Sequence, residues 1–190
     1  MREEEGSRYT SYGRISYFNN TNSQLLGKRM RELGVQEDII RWTGRFMRNR
    51  RVKLVLDGME GEANRVEAGI LQGSPAASIL FITYRLGIFR KVEGRWEWVK
   101  ALSFADDISW WVEGKTDEEV AEKLTRVREV TCKWGEKNGV TFEPGKSKAI
   151  LFSRKRKAPT TSIRLGGRKI PFSKEMTRWL GIWLDSHLTL

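Results

Sequence analysis

Two adjacent carboxylates, Asp106-Asp107, interrupt a stretch that otherwise reads as strand. Val99, Ala101, Leu102 and Phe104 precede them, and Ile108, Trp110, Trp111 and Val112 follow. Successive side chains of a continuous strand point to opposite faces, so neighbouring aspartates inside one strand could not serve a common site. A tight turn between two strands removes that conflict, and the pattern predicts a hairpin over about Trp98–Glu113 with the acids at its tip. Asp is a favoured turn residue, so a solvated turn is the simplest reading of the pair. The other reading is a metal site. Hard Mg²⁺ takes oxygen ligands and works with substrate phosphates. Two such ions ~3.5–4 Å apart form the clamp of polymerases and nucleases.

The hairpin sits within an α+β order. Residues 1–21 show no clean periodicity and read as a degenerate or poorly ordered segment, with 22–190 as the folded body. Leu25, Leu26, Met30 and Leu33 recur at helical spacing from Ser23, and Gly34 stops the helix. A second helix over about Gln36–Arg48 should bury Ile39, Ile40, Phe46 and Met47. Arg51–Leu56 alternates basic and apolar residues, and the Asp57-Gly58 turn returns it into Asn64–Ala68. After the loop Gly69–Pro75, Ser74 can cap and Pro75 open a helix running to about Phe89. Thr116-Asp117-Glu118-Glu119 is a capping box, and its helix should end near Asn138-Gly139. A strand at Ala149–Ser153, a hairpin of Ser162–Leu165 with Lys169–Phe172, and a last strand at Arg178–Leu184 complete the order. Such an order excludes an alternating βαβ sheet. Trp110 and Trp111 should point to opposite faces, one into the core and one outward.

Composition narrows the chemistry. His187 is the only histidine and Cys132 the only cysteine. Ser-His or Cys-His catalysis therefore lacks material, an internal disulfide is excluded, and acid–base work falls to carboxylates and lysines. Cys132 lies in a helical pattern as a small core residue. The net charge of +11 points to a polyanionic partner, nucleic acid before membrane. No run approaches the ~18 apolar residues of a membrane span, and Met1–Glu5 lacks the apolar core of a secretory signal. Most of the eight tryptophans should pack the core, although aromatic faces among basic residues can also stack bases. Ser153–Lys157 is a basic run suited to a solvated loop or to salt-sensitive phosphate contact.

Four ordered motifs resemble the palm of a reverse transcriptase, specifically that of non-LTR (LINE-type) retrotransposons. Gly69-Ile70-Leu71-Gln72-Gly73-Ser74-Pro75 is similar to the family's Gly-x-Pro-Gln-Gly-Ser-Pro loop, with Leu71 at the usual proline. Phe104-Ala105-Asp106-Asp107 resembles the catalytic Ala-Asp-Asp, and Lys146 in Phe142–Lys148 the following motif's lysine. Trp179–Asp185 resembles the segment with a Leu-Gly turn at the primer grip. The resemblance covers about Phe18 to Leu188 and implies a polymerase palm, an antiparallel sheet with helices packed on one face.

The resemblance also implies roles. Asp106 would ligate Mg²⁺, with Asp107 completing or positioning the site. Gln72 would hydrogen-bond at an incoming dNTP, with Gly73 admitting close backbone approach. Lys146 would donate a proton to the leaving pyrophosphate, or be an ordinary solvated lysine. Phe18 fits the aromatic that discriminates against a ribose 2′-hydroxyl. The implied partners are an RNA template and a DNA primer, held as a hybrid. One element departs from the pattern. The family's first aspartate precedes Phe18 by five residues, where this chain has Gly13, and the Asp that follows the aromatic is Asn19. No acidic residue lies between Glu5 and Glu32. Mg²⁺ binding is therefore expected to be weak or absent. Most of the fingers would precede Met1 and the thumb would follow Leu190. The sequence thus reads as a reverse transcriptase fragment that is inactive as it stands, with a non-catalytic nucleic-acid-binding remnant or a plain interaction domain as alternatives.

Overall fold

The computed structural model describes residues 7–16, 21–66, 69–70, 73–104, 107–142, 145, 147–153, 160–165 and 168–187. The chain divides into two compact units, one of residues 1–16, 88–137 and 141–190, the other of residues 17–87 and 138–140. In chain order the first elements are β1 (Ser7–Ser16), α1 (Ser23–Glu32), α2 (Glu37–Met47), β2 (Arg50–Val52), β3 (Val55–Leu56), β4 (Met59–Glu60), β5 (Asn64–Val66) and α3 (Pro75–Glu93). The remainder are β6 (Val99–Phe104), β7 (Asp107–Gly114), α4 (Asp117–Lys137), β8 (Thr141–Phe142), β9 (Lys148–Phe152), β10 (Ser162–Leu165), β11 (Arg168–Ser173), β12 (Thr177–Trp179) and β13 (Ile182–Leu184).

The first unit is built on a sheet in the order β10-β11-β9-β1-β7-β6, with β8 pairing the end of β1. All its pairs are antiparallel except β11 with β9, which run parallel at Phe172↔Ala149 and Ser173↔Ile150. The mixed helices and largely antiparallel sheet are the α+β palm expected. Within the segment read as degenerate, Ser7–Ser16 forms a strand at the sheet's centre. It pairs with β7 from Ser7 to Arg14 and with β9 from Arg8 to Tyr12. Main-chain N–H and C=O groups make those bonds, and every residue except proline offers both. The sequence pattern therefore carried no sign of them.

Both faces of the sheet are covered. Ile108, Trp110 and Val112 are buried on one face, where Phe89 of α3 tilts against Trp110 with ring centroids 5.8 Å apart. Helix α4 contributes a stripe of Val120, Ala121, Leu124, Val127 and Thr131 at helical spacing. Its N-terminus is closed as the capping box predicted. Thr116 Oγ1 accepts from Glu119 N at 3.1 Å, and Glu119 Oε2 accepts from Lys115 N at 2.8 Å. On the opposite face Trp111 stacks on Phe152 (5.9 Å) and meets Trp179 edge-on (6.4 Å). Trp111 is thus half-buried and packed, not an outward-facing residue. The cover there is a hairpin where a single strand over Arg178–Leu184 was expected. Leu180 (φ 48°) and Gly181 (φ 87°) reverse the chain between β12 and β13. Two successive positive φ values are the signature of a two-residue hairpin turn, and Gly at the second carries no Cβ penalty.

In the second unit, Asn22 caps α1 by accepting from Gln24 N (2.8 Å) and Leu25 N (3.1 Å). Leu26 and Met30 of α1 are buried, as are Ile40, Thr43 and Met47 of α2. The expectation that Ile39 and Phe46 are also core is corrected. Ile39 is 48% exposed and Phe46 only partly covered, because they lie round the helix from the Ile40–Met47 stripe. The Asp57-Gly58 hairpin forms as read, β3 with β4, enclosed by β2 with β5. Among the described residues no helix is long and apolar enough to cross a membrane.

Candidate functional site

Strands β6 and β7 pair from Val99↔Val112 to Phe104↔Asp107, leaving only positions 105 and 106 to close the hairpin. The predicted β6–β7 hairpin thus forms, with Asp107 at the start of its second strand. Asp107 opens β7 and is half-buried, while Ser109 two residues on is fully buried. Asp106 lies outside the described residues, as do Phe18, Gln72 and Lys146.

The pairing of β1 with β7 sets what stands beside the tip. Gly13 is the partner of Ile108 and Arg14 the partner of Asp107. Residues 13–16, the described part of the segment that resembles the carrier of the family's first aspartate, thus lie on the strand next to β7. Glycine and arginine occupy the two register positions nearest Asp107. Among the described residues no group of three His, Cys, Asp or Glu side chains gathers as a cation site. The arginine opposite Asp107 was invisible to sequence reading, because nothing local to residue 14 signals its cross-strand partner.

The glycine-rich loop belongs to the other unit. Gly69 N donates to Thr21 O at 3.3 Å, and Gly69 O accepts from Arg50 Nη2 at 2.6 Å. Ile70 is buried. Gly73 has φ 88°, a conformation that an L side chain adopts only with strain, so the glycine is required by the turn. Ser74 then caps α3 as predicted, its Oγ accepting from Ala76 N at 3.3 Å, with Pro75 first in the helix.

The segment flanking Lys146 is anchored by a contact that sequence reading missed. Arg128, buried on the inner stripe of α4, donates from Nη2 to Ser147 Oγ at 2.9 Å. Burial holds the Arg128 guanidinium below its ordinary value, with Cys132 one turn on acting in the opposite sense. Burial likewise raises the Cys132 thiol, with Arg128 acting against it, and Cys132 is half-buried where a core residue was expected. The available signal was Arg128's place at helical spacing from Leu124 and Thr131, which alone would have put it inside.

Comparison with known proteins agrees with this geometry. The family profile described as reverse transcriptase (RNA-dependent DNA polymerase) matches residues 15–184. This chain belongs to the reverse transcriptase family. The chain is 31% identical over 97 residues to the retrovirus-related Pol polyprotein from type-1 retrotransposable element R1 2 of Nasonia vitripennis. That match takes in 51% of this chain and 23% of the relative. Among solved structures, the chain is similar to apo telomerase from Candida tropicalis truncated from its C-terminal domain. The TM-score is 0.62 at 13% identity, over 88% of this chain and 34% of the telomerase. Telomerase from the same organism, in complex with a fragment of telomeric RNA, gives a TM-score of 0.59 at 12% identity, over 87% of this chain and 29% of that one. At such identities the likeness is one of fold. It supports the palm reading of the hairpin-bearing sheet.

Proposed function

We propose that this chain is a palm piece of a non-LTR retrotransposon reverse transcriptase that retains nucleic-acid binding and has lost nucleotidyl transfer. The family profile and the likeness to the R1 relative support the retroelement origin. The lineage's reaction is RNA-directed DNA synthesis on a primer annealed to an RNA template, with a dNTP as donor. Asp106 and Asp107 at the hairpin tip are the catalytic and metal-ligating candidates. Lys146 is the candidate acid toward pyrophosphate, and Gln72, Gly73 and Phe18 form the nucleotide-facing set.

One observation carries the reading of a silent enzyme: the register that sets Gly13 and Arg14 beside Ile108 and Asp107. Two divalent ions held close together repel strongly and need carboxylates from more than one side. The neighbouring strand β1 carries no acidic residue. Among the described residues nothing gathers beside Asp107 to complete a two-ion Mg²⁺ site. What persists is charge. At +11, the chain neutralises phosphates wherever its basic residues reach them, a contribution independent of sequence and steep in salt.

A filter-binding titration of residues 1–190 with an RNA–DNA hybrid, across a salt series with and without Mg²⁺, tests the proposal. Retention that falls steeply with salt and does not need Mg²⁺ is expected. No retention at low salt, or retention that requires Mg²⁺, contradicts it.

A further inference from the structure

Helix α2 carries two apolar stripes, and only one of them is used. Ile40, Thr43 and Met47 face inward and are buried. Ile39, Trp42 and Phe46 form a second stripe at i, i+3 and i+7, with Ile39 48% and Trp42 52% exposed. Large exposed apolar residues in a contiguous row are the informative exception on a protein surface. The row is ordered, since Trp42 and Phe46 stack with centroids 5.2 Å apart and planes 13° from parallel.

Beside this row runs a third stripe, of Arg41, Arg45 and Arg48, all exposed. The helix's two acids are already committed. Glu37 takes a two-point contact from Arg31 (3.0 and 2.6 Å), which also holds its carboxyl below the ordinary range, and Asp38 accepts from Arg41 at 2.5 Å. Arg45 and Arg48 have no ion pair among the described residues. An ordered aromatic platform bordered by unneutralised guanidinium groups matches what single-stranded nucleic acid offers, a π-face on each base and a charge on each phosphate. A purely apolar protein partner would leave both arginines unused.

We infer that the outer face of α2 is a second nucleic-acid contact, which takes single-stranded RNA or DNA by stacking a base on Trp42 and pairing phosphates with Arg45 and Arg48. The inference rests on the proposed nucleic-acid binding and assigns part of it to a surface outside the acidic hairpin. It involves no sequence readout, because every base has a face to stack.

Fluorescence anisotropy of labelled oligouridylate and oligothymidylate with the full chain tests it, with Arg126→Gln on α4 as control. Stacking contributes about 1–3 kcal/mol per base, so Trp42→Ala should weaken binding about 5-fold or more without changing the salt slope. Arg45→Gln with Arg48→Gln should lower that slope by about 1.4, at ~0.7 per phosphate on a single strand. Trp42→Phe should restore most of the affinity, which guards against a folding defect in the alanine variant. Equal affinity and slope in all variants overturns the inference and leaves the proposed nucleic-acid binding standing, whereas no binding by the parent overturns both. A parent dimer that Trp42→Ala dissociates and oligonucleotide does not compete for would assign the face to a second copy of the chain, and also overturns it.

Discussion

Arg14 and Asp107 are cross-strand partners in the β1–β7 pair, an arginine set against the residue that opens the acidic hairpin's second strand. A divalent cation beside Asp107 would find no carboxylate on β1.

That deficit is open to mutation. Gly13→Asp combined with Arg14→Gln adds one negative charge and removes one positive beside the tip. At an effective dielectric constant of about 20, one charge pair a few ångströms apart is worth several kcal/mol before screening. A gain in Mn²⁺ or Mg²⁺ affinity of about tenfold or more is therefore expected by calorimetry, and Asp107→Asn in the same background should abolish it. Unchanged affinity would show that β1 does not border the cation locus.

Ser147→Ala should destabilise the chain by about 1.5–3 kcal/mol, the range for a hydrogen bond to a charged group. It strips one partner from the buried Arg128 guanidinium, and the deficit should appear as a lowered denaturant midpoint. Arg128→Met removes the charge with the contact and should cost less than Ser147→Ala measured in the Arg128 background predicts. Equal and additive effects would argue against coupling of the two residues.

At the start of α4, Thr116→Ala should cost about 1 kcal/mol through the lost cap. Glu119 adds a pH signature. Its carboxyl lies below the ordinary range, chiefly through the Lys123 side chain and then the Lys115 N–H. A depressed folded value means that the stabilisation is present above the unfolded carboxylate range and is lost as pH falls through the lowered value. Glu119→Gln should flatten that part of the stability profile, below about pH 4.5, and leave neutral behaviour little changed.

Sequence reading reached the parts of this fold whose causes are local. Asp57-Gly58 turns because both residues accept positive φ (50° and 78°), and Ser74-Pro75 starts α3 because a hydroxyl caps and a proline needs no N–H. The β6–β7 hairpin was legible for the same reason, since two strand-like runs flank a turn-forming residue type. What escaped was set by partners distant in sequence. Strand β1 exists through β7 and β9. One of Trp110 and Trp111 was expected to face outward, and the β12–β13 hairpin instead packs against Trp111. Ile39 and Phe46 looked like core because apolar character does not say which of two stripes a helix buries. The contact of Arg128 with Ser147 joins residues 19 apart in the chain, which no local pattern signals.

Primer extension tests the central claim most directly. Residues 1–190, supplied with an RNA template, an annealed DNA primer, dNTPs and Mg²⁺, should yield no extended product, and Asp106→Ala should leave that result unchanged. Robust extension by the unaltered chain, abolished by Asp106→Ala, would contradict the account and require a carboxylate other than position 13 to complete the site.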